Sequence, residues 1–150
     1  MYYSFSEKYA APTNKLITET TLLGALPQKD FLKVRAIWDT GATHSVISNK
    51  IKEQMKLIPI SSKLVYGVNS KQYVDIVAAS IKLPNDLVID KNRFYVCNLP
   101  SGIDMLIGMD IIQLGNFHIS NTDGKTQFSF VVPPLPSLYD LAEEAQKLNG

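Results

Sequence analysis

Residues 36–45, Ala36-Ile37-Trp38-Asp39-Thr40-Gly41-Ala42-Thr43-His44-Ser45, set a carboxylate, a hydroxyl and a glycine in succession at the end of an apolar strand. A carboxylate beside apolar residues is costly unless it is paired or hydrogen-bonded. Asp39 is therefore a candidate functional group. Glycine lets the backbone approach closely, so amide N–H groups can reach the carboxylate. The hydroxyl of Thr40 can donate and accept within a tight turn. The bland alternative is an Asx-type turn between two strands, where Asp and Gly are common for conformational reasons alone.

Rival chemistries lack their residues. There is no Gly-x-Ser-x-Gly, no His-Glu-x-x-His and no glycine-rich phosphate loop. Cys97 is the only cysteine, so no internal disulfide is possible. With only two histidines, His44 and His118, it cannot build a structural zinc site by itself. Cys97 reads as a small core residue, His44 as a loop histidine able to titrate near neutral pH, and His118 as a strand residue. No metal or cofactor is expected.

The surrounding pattern is mainly one of strands. Residues 15–23 and 31–38 predict a hairpin with Gly24 to Asp30 as its turn, leading into Asp39. Residues 45–57 have helical character, with Val46, Ile47, Ile51 and Met55 near one face. Strands are expected at 63–68 and 72–83 around Asn69-Ser70-Lys71, and 87–89 with 93–97 as a further pair. Residues 103–107 form a short apolar run stopped by Gly108. Asp110 then predicts an N-cap for a short helix, Ile111 to Leu114, that Gly115 ends. Phe117–Ser120 and Gln127–Val132 flank an Asp-Gly pair, a strong hairpin signal. Phe128, Phe130 and Val132 alternate as a half-buried strand requires. After three prolines, Ser137 is placed to cap a C-terminal helix with Leu138, Leu141, Ala142, Ala145 and Leu148 on one side. The division expected is an N-terminal extension over 1–14, one domain over 15–132 and a helical tail over 133–150. The class is all-β with short helices.

Composition narrows the partners. The net charge is +1, from 15 basic and 14 acidic residues, and no basic run stands out, which disfavours nucleic acid. No stretch approaches the roughly 18 apolar residues of a membrane span. The first fifteen residues lack a basic region followed by an apolar one, so a cytoplasmic location is expected.

The stretch around Asp39-Thr40-Gly41-Ala42 resembles the active-site motif of retropepsin-like aspartic proteases. A second element, Ile103-Asp104-Met105-Leu106-Ile107-Gly108-Met109-Asp110-Ile111-Ile112, is similar to that family's apolar strand, glycine and short helix. The resemblance covers roughly residues 15 to 132 and is stronger to bacterial than to viral members, whose arginine after the glycine is absent here. It implies an acid-protease barrel that hydrolyses peptide bonds with two carboxylates sharing one proton. This chain has one Asp-Thr-Gly; Asp104 and Asp110 are followed by neither Thr-Gly nor Ser-Gly. The resemblance therefore implies a homodimer, with Asp39 from each copy meeting at the axis. It further implies that Thr40 bonds across the axis and that Gly41 offers its backbone to substrate. Ala42, Thr43 and His44 would line a peptide cleft. The hairpin from Leu64 to Ile76 would act as a mobile flap, with Gly67, Val68 and Asn69 at its tip. The competing expectation is a peptide-binding module that keeps the fold without cutting; an intact Asp-Thr-Gly favours the enzyme.

Overall fold

The computed structural model describes residues 1–24 and 31–150. Period-two alternation of apolar and polar residues makes most of the chain strand, because successive side chains point to opposite faces. In chain order the elements are β1 (Tyr3–Lys8), β2 (Ile17–Leu23), β3 (Phe31–Trp38), β4 (Val46–Ser48), α1 (Asn49–Gln54), β5 (Ser61–Tyr66), β6 (Lys71–Lys82), β7 (Val88–Cys97), β8 (Met105–Ile107), α2 (Met109–Ile112), β9 (Asn116–Ser120), β10 (Gln127–Val132) and α3 (Leu141–Leu148).

Six strands close a barrel in the order β2-β3-β8-β4-β7-β6, and β6 returns to β2. The closing register is Thr21↔Lys82, Leu22↔Ile81 and Leu23↔Ser80. Closure removes the unpaired edges that an open sheet would expose. Leu22, Val34, Ala36, Ile47, Val77, Ile81, Phe94, Met105 and Ile107 are buried in the core. β5 pairs with β6 outside the ring and projects as a hairpin. A separate sheet, β1-β10-β9, aligns Phe5, Phe130 and Phe117 in one row. With Phe128 they form the face that packs on Trp38 at the end of β3.

Several elements differ from the sequence expectation. The N-terminal segment, set apart as an extension, contributes β1, which pairs with β10 from Tyr3↔Val132 to Lys8↔Gln127. Its short alternation is weak locally, and its partner lies more than a hundred residues away. The expected helix over 45–57 begins only at Asn49. Val46 and Ile47 extend instead and pair with Tyr95–Val96 and with Leu106–Met105, which suits their β-branched side chains. Ser48 Oγ caps α1 by accepting from Ile51 N at 3.2 Å. The stretch expected as two short strands is the single strand β7, which pairs along β6 with a register shift between Ala79 and Ile81. Lys91, at φ 51°, lies in that region.

The β2–β3 hairpin forms as expected, although residues 25–30 of its turn lie outside the described residues. Between β9 and β10 the loop runs from Asn121 to Thr126, longer than a two-residue turn, since Ser120 pairs with Gln127. Asp123 and Gly124 nevertheless take the positive φ, 55° and 68°, that Asp-Gly favours. At the C-terminus Asp140, and not Ser137, caps α3: its Oδ1 accepts from Ala142 N at 2.8 Å. No residue of α3 is buried.

Candidate active site

β3 and β8 run parallel, with Ala36↔Met105, Ile37↔Leu106 and Trp38↔Ile107 in register. Parallel strands deliver their following residues to the same end of a sheet. Asp39, after Trp38, therefore emerges beside Gly108, after Ile107, and Asp39 N donates to Ile107 O at 2.8 Å. The chain then turns sharply. Gly41 N donates to Asp39 Oδ1 at 2.9 Å, and Ala42 N donates to Asp39 O at 3.2 Å. A Cβ on Gly41 would lie 3.2 Å from that carboxylate oxygen, so glycine keeps the approach open. Asp39 is half-buried and reachable from solvent; Thr40 and Gly41 are exposed.

The rest of the loop is fastened to the start of α2. Met109 N donates to Ala42 O at 2.8 Å, and Asp110 N to Thr43 O at 3.3 Å. A Cβ on Gly108 would fall 2.8 Å from both Ala42 O and the carbonyl carbon of His44. Only a residue without a side chain lets these two backbones touch.

Asp110 corrects the sequence expectation. Gly108, not Asp110, stands at the N-cap of α2. The Asp110 carboxylate turns to the Asp39 loop, accepting from Ser45 Oγ at 2.7 Å and from Ser45 N at 3.1 Å. Ser45 Oγ in turn accepts from Gly108 N at 3.0 Å. Ser45 is fully buried. One hydroxyl and one carboxylate thus clamp the two loops together. Sequence reasoning missed this function for both residues, because the pairing spans 65 positions and no local pattern signals it. Ser45→Ala is expected to cost about 1–3 kcal/mol, since it leaves Gly108 N and one side of a carboxylate without their partner. A lower urea midpoint with an unchanged denaturant slope is the outcome to look for.

Asp104 is also occupied. Its Oδ2 accepts from Arg35 N at 2.9 Å, and its backbone exchanges with Arg35 O and Ser48 N as β8 opens. Asp39 is the carboxylate of this region that holds no second segment in place. Of the other residues singled out, Ala42 is half-buried, whereas Thr43 and His44 are exposed. Gly67, Val68 and Asn69 lie together at the exposed tip of the β5–β6 hairpin, closed by Gly67 N donating to Ser70 O at 2.7 Å. His118 is exposed on β9, edge-on to Tyr139. Burial pushes the Cys97 thiol up, against a nucleophilic thiolate. Among the described residues, no group of three or more His, Cys, Asp or Glu could hold a metal ion. Among them, too, no helix is long and apolar enough to cross a membrane.

The family model described as "Aspartyl protease" matches residues 29–111, more than half of the chain. The chain belongs to the aspartyl protease family. The matched stretch of this aspartyl protease runs from β3 to α2 and contains the Asp39 loop, the projecting hairpin and Gly108. Among solved structures, a retropepsin-like aspartic protease from Rickettsia conorii aligns with TM-score 0.58 at 12% identity, over 88% of this chain and 96% of that one. The retroviral protease-like domain of Ddi1 from Leishmania major aligns with TM-score 0.53 at 18% identity, over 78% of this chain and 95% of that one. At these identities the likeness establishes the fold, which is retropepsin-like. No curated protein matches the chain.

Proposed function

We propose that this aspartyl protease is an endopeptidase that acts as a homodimer, each copy supplying Asp39 to a shared dyad. The supporting observation is the contrast among the three carboxylates. Asp104 and Asp110 are spent on Arg35, Ser45 and backbone amides. Asp39 is braced from below and open above. Bond hydrolysis by water needs a base to take its proton and an acid to polarise the carbonyl. Two carboxylates brought together at an axis hold one proton between them, so one serves each role. One such group per chain makes a twofold axis the simplest source of the second.

In this reading the water attacks the scissile carbonyl directly and no acyl-enzyme forms. Thr40 bridges the two loops across the axis, and Gly41 presents its backbone to the peptide. Ala42, Thr43 and His44 line the cleft. The hairpin bearing Gly67, Val68 and Asn69 closes over an extended peptide held by strand-like main-chain bonds. No cofactor takes part.

The deciding experiment incubates wild type and Asp39→Asn with a diverse peptide library from acidic to neutral pH, with the mass of each protein followed by sedimentation. Products made only by the wild type, by a species of twice the chain mass, are expected. Identical product patterns from both proteins would remove the assignment.

A further inference from the structure

Beside the Asp39 loop lies a side-chain group of which the mechanism above uses only His44, as cleft lining. The His44 ring lies flat on the Tyr95 ring, with centroids 4.6 Å apart and planes within 5°. Lys63 brings Nζ to 6.0 Å from the centre of the same ring. The three residues come from three segments: the loop that follows Asp39, β7, and the first strand of the projecting hairpin. Backbone pairing fixes their meeting. Tyr95 N donates to Ser45 O at 3.0 Å, next to His44. Tyr95 pairs with Ile76, and Ile76 with Ser61. Lys63 is two residues along β5 from Ser61, on the same face.

Charge gives the group a direction. Among the described residues Lys63 is in none of the ion pairs. The acid next to its partner on β6, Asp75, is bound to Lys52 at 2.7 Å. Asp110, beside the loop, is bound to Ser45. A cation held against an aromatic face loses part of its rotamer freedom beforehand. The imidazole stacked on the same ring offers an N–H in either protonation state. Tyr95 is half-buried, while His44 and Lys63 are exposed, so the group is open to an incoming chain. The complement to an ammonium and an imidazole N–H gathered around one aromatic ring is a carboxylate.

We infer that His44, Tyr95 and Lys63 form a selectivity wall that favours peptides carrying an aspartate or glutamate side chain within a few residues of the scissile bond. The inference rests on the endopeptidase reading above. It adds two specificity residues, Tyr95 and Lys63, that the sequence did not single out.

The test uses peptides that are identical except for Glu, Gln or Lys at one position, moved in turn along each side of the cleaved bond. At one position the wild type is expected to prefer Glu over Gln in kcat/KM by about three- to fivefold, the upper part of the range of a solvent-accessible charge pair. The effect should lie mainly in KM. Lys63→Gln should erase the preference, Lys63→Glu should turn it toward Lys, and His44→Ala should reduce it. Reversal of preference by a reversed charge is something a purely structural role would not produce. Cleavage by the wild type with the same Glu-to-Gln ratio in Lys63→Glu would overturn the wall and leave the protease reading intact. Failure of the wild type to cleave any peptide would overturn the protease reading, and the wall with it. Binding of Glu and Gln peptides to Asp39→Asn, followed through the ring resonances of His44 and Tyr95, gives an independent measure. Equal affinities would count against the wall whatever the turnover.

Discussion

Asp39→Asn should reduce peptide hydrolysis by roughly 10²–10⁴-fold, the range expected for loss of a positioned acid–base group, and leave the fold in place. The substitution is nearly isosteric, and an amide oxygen can still accept from Gly41 N, which now donates to Oδ1 at 2.9 Å. The backbone bonds that seat the loop, Asp39 N to Ile107 O and Met109 N to Ala42 O, do not involve the side chain. Stability should therefore stay within about 0.5 kcal/mol of the wild type. A sharper form mixes the two proteins. If each active centre takes one Asp39 from each copy, an equal amount of freely exchanging variant leaves about half of the wild-type subunits with a defective partner. Activity per wild-type chain should fall to about half, and to about a quarter with a threefold excess. A monomer acting alone would be indifferent to the addition. Undiminished turnover in Asp39→Asn would sink the catalytic role; loss in the variant without poisoning in the mixture would sink the shared dyad.

The part of this site legible in the sequence is the part written in contiguous residues. An apolar strand running into Asp39-Thr40-Gly41 announces a constrained carboxylate, because burial of charge and the freedom of glycine are both local facts. Gly108 as the stop of an apolar run is local too, but that it stops there to let another backbone approach closely is not. The backbone of Ala42 and His44 lies against Gly108 because β3 and β8 are parallel neighbours, and no turn chemistry specifies that pairing. Asp110 shows the limit well. Its place after Gly108 satisfies the preference for a cap, yet its carboxylate is drawn to a buried Ser45 that local statistics cannot see. β1 escaped notice because Tyr3 and Phe5 are too few to declare a buried face; the face is completed only when Phe117, Phe128 and Phe130 arrive from the far end of the chain. Val46 and Ile47 likewise fit a helical stripe until β7 and β8 offer them partners.

That aromatic face carries the second large effect. Trp38, the only tryptophan in the chain, is 5% exposed. Its ring is stacked on Phe117 at 5.7 Å and tilted against Phe130 at 4.9 Å, with Phe5 and Phe128 each at 5.7 Å. Its Nε1 donates to the buried Thr18 Oγ1 at 3.0 Å. One side chain thus joins the barrel to the β1-β10-β9 sheet, and the next residue along is Asp39. Trp38→Ala should cost about 3–5 kcal/mol, a large share of the roughly 5–15 kcal/mol that holds a domain together. Trp38→Phe keeps an aromatic surface and loses the indole donor. Thr18 Oγ1 still lies 3.2 Å from Thr20 Oγ1, so it is not orphaned and the cost should be nearer 1–2 kcal/mol. Because both variants lose the fluorescent reporter, urea unfolding is best followed by far-ultraviolet circular dichroism. The two should separate in function as well. Trp38→Phe retains the Trp38↔Ile107 register that presents Asp39, so its folded fraction should hydrolyse peptide at a rate close to wild type. Trp38→Ala should lose activity in step with its folded population. A loss below about 1 kcal/mol in Trp38→Ala, far short of a filled aromatic site, would mean that the second sheet is not packed on the barrel and that Asp39 is positioned without it.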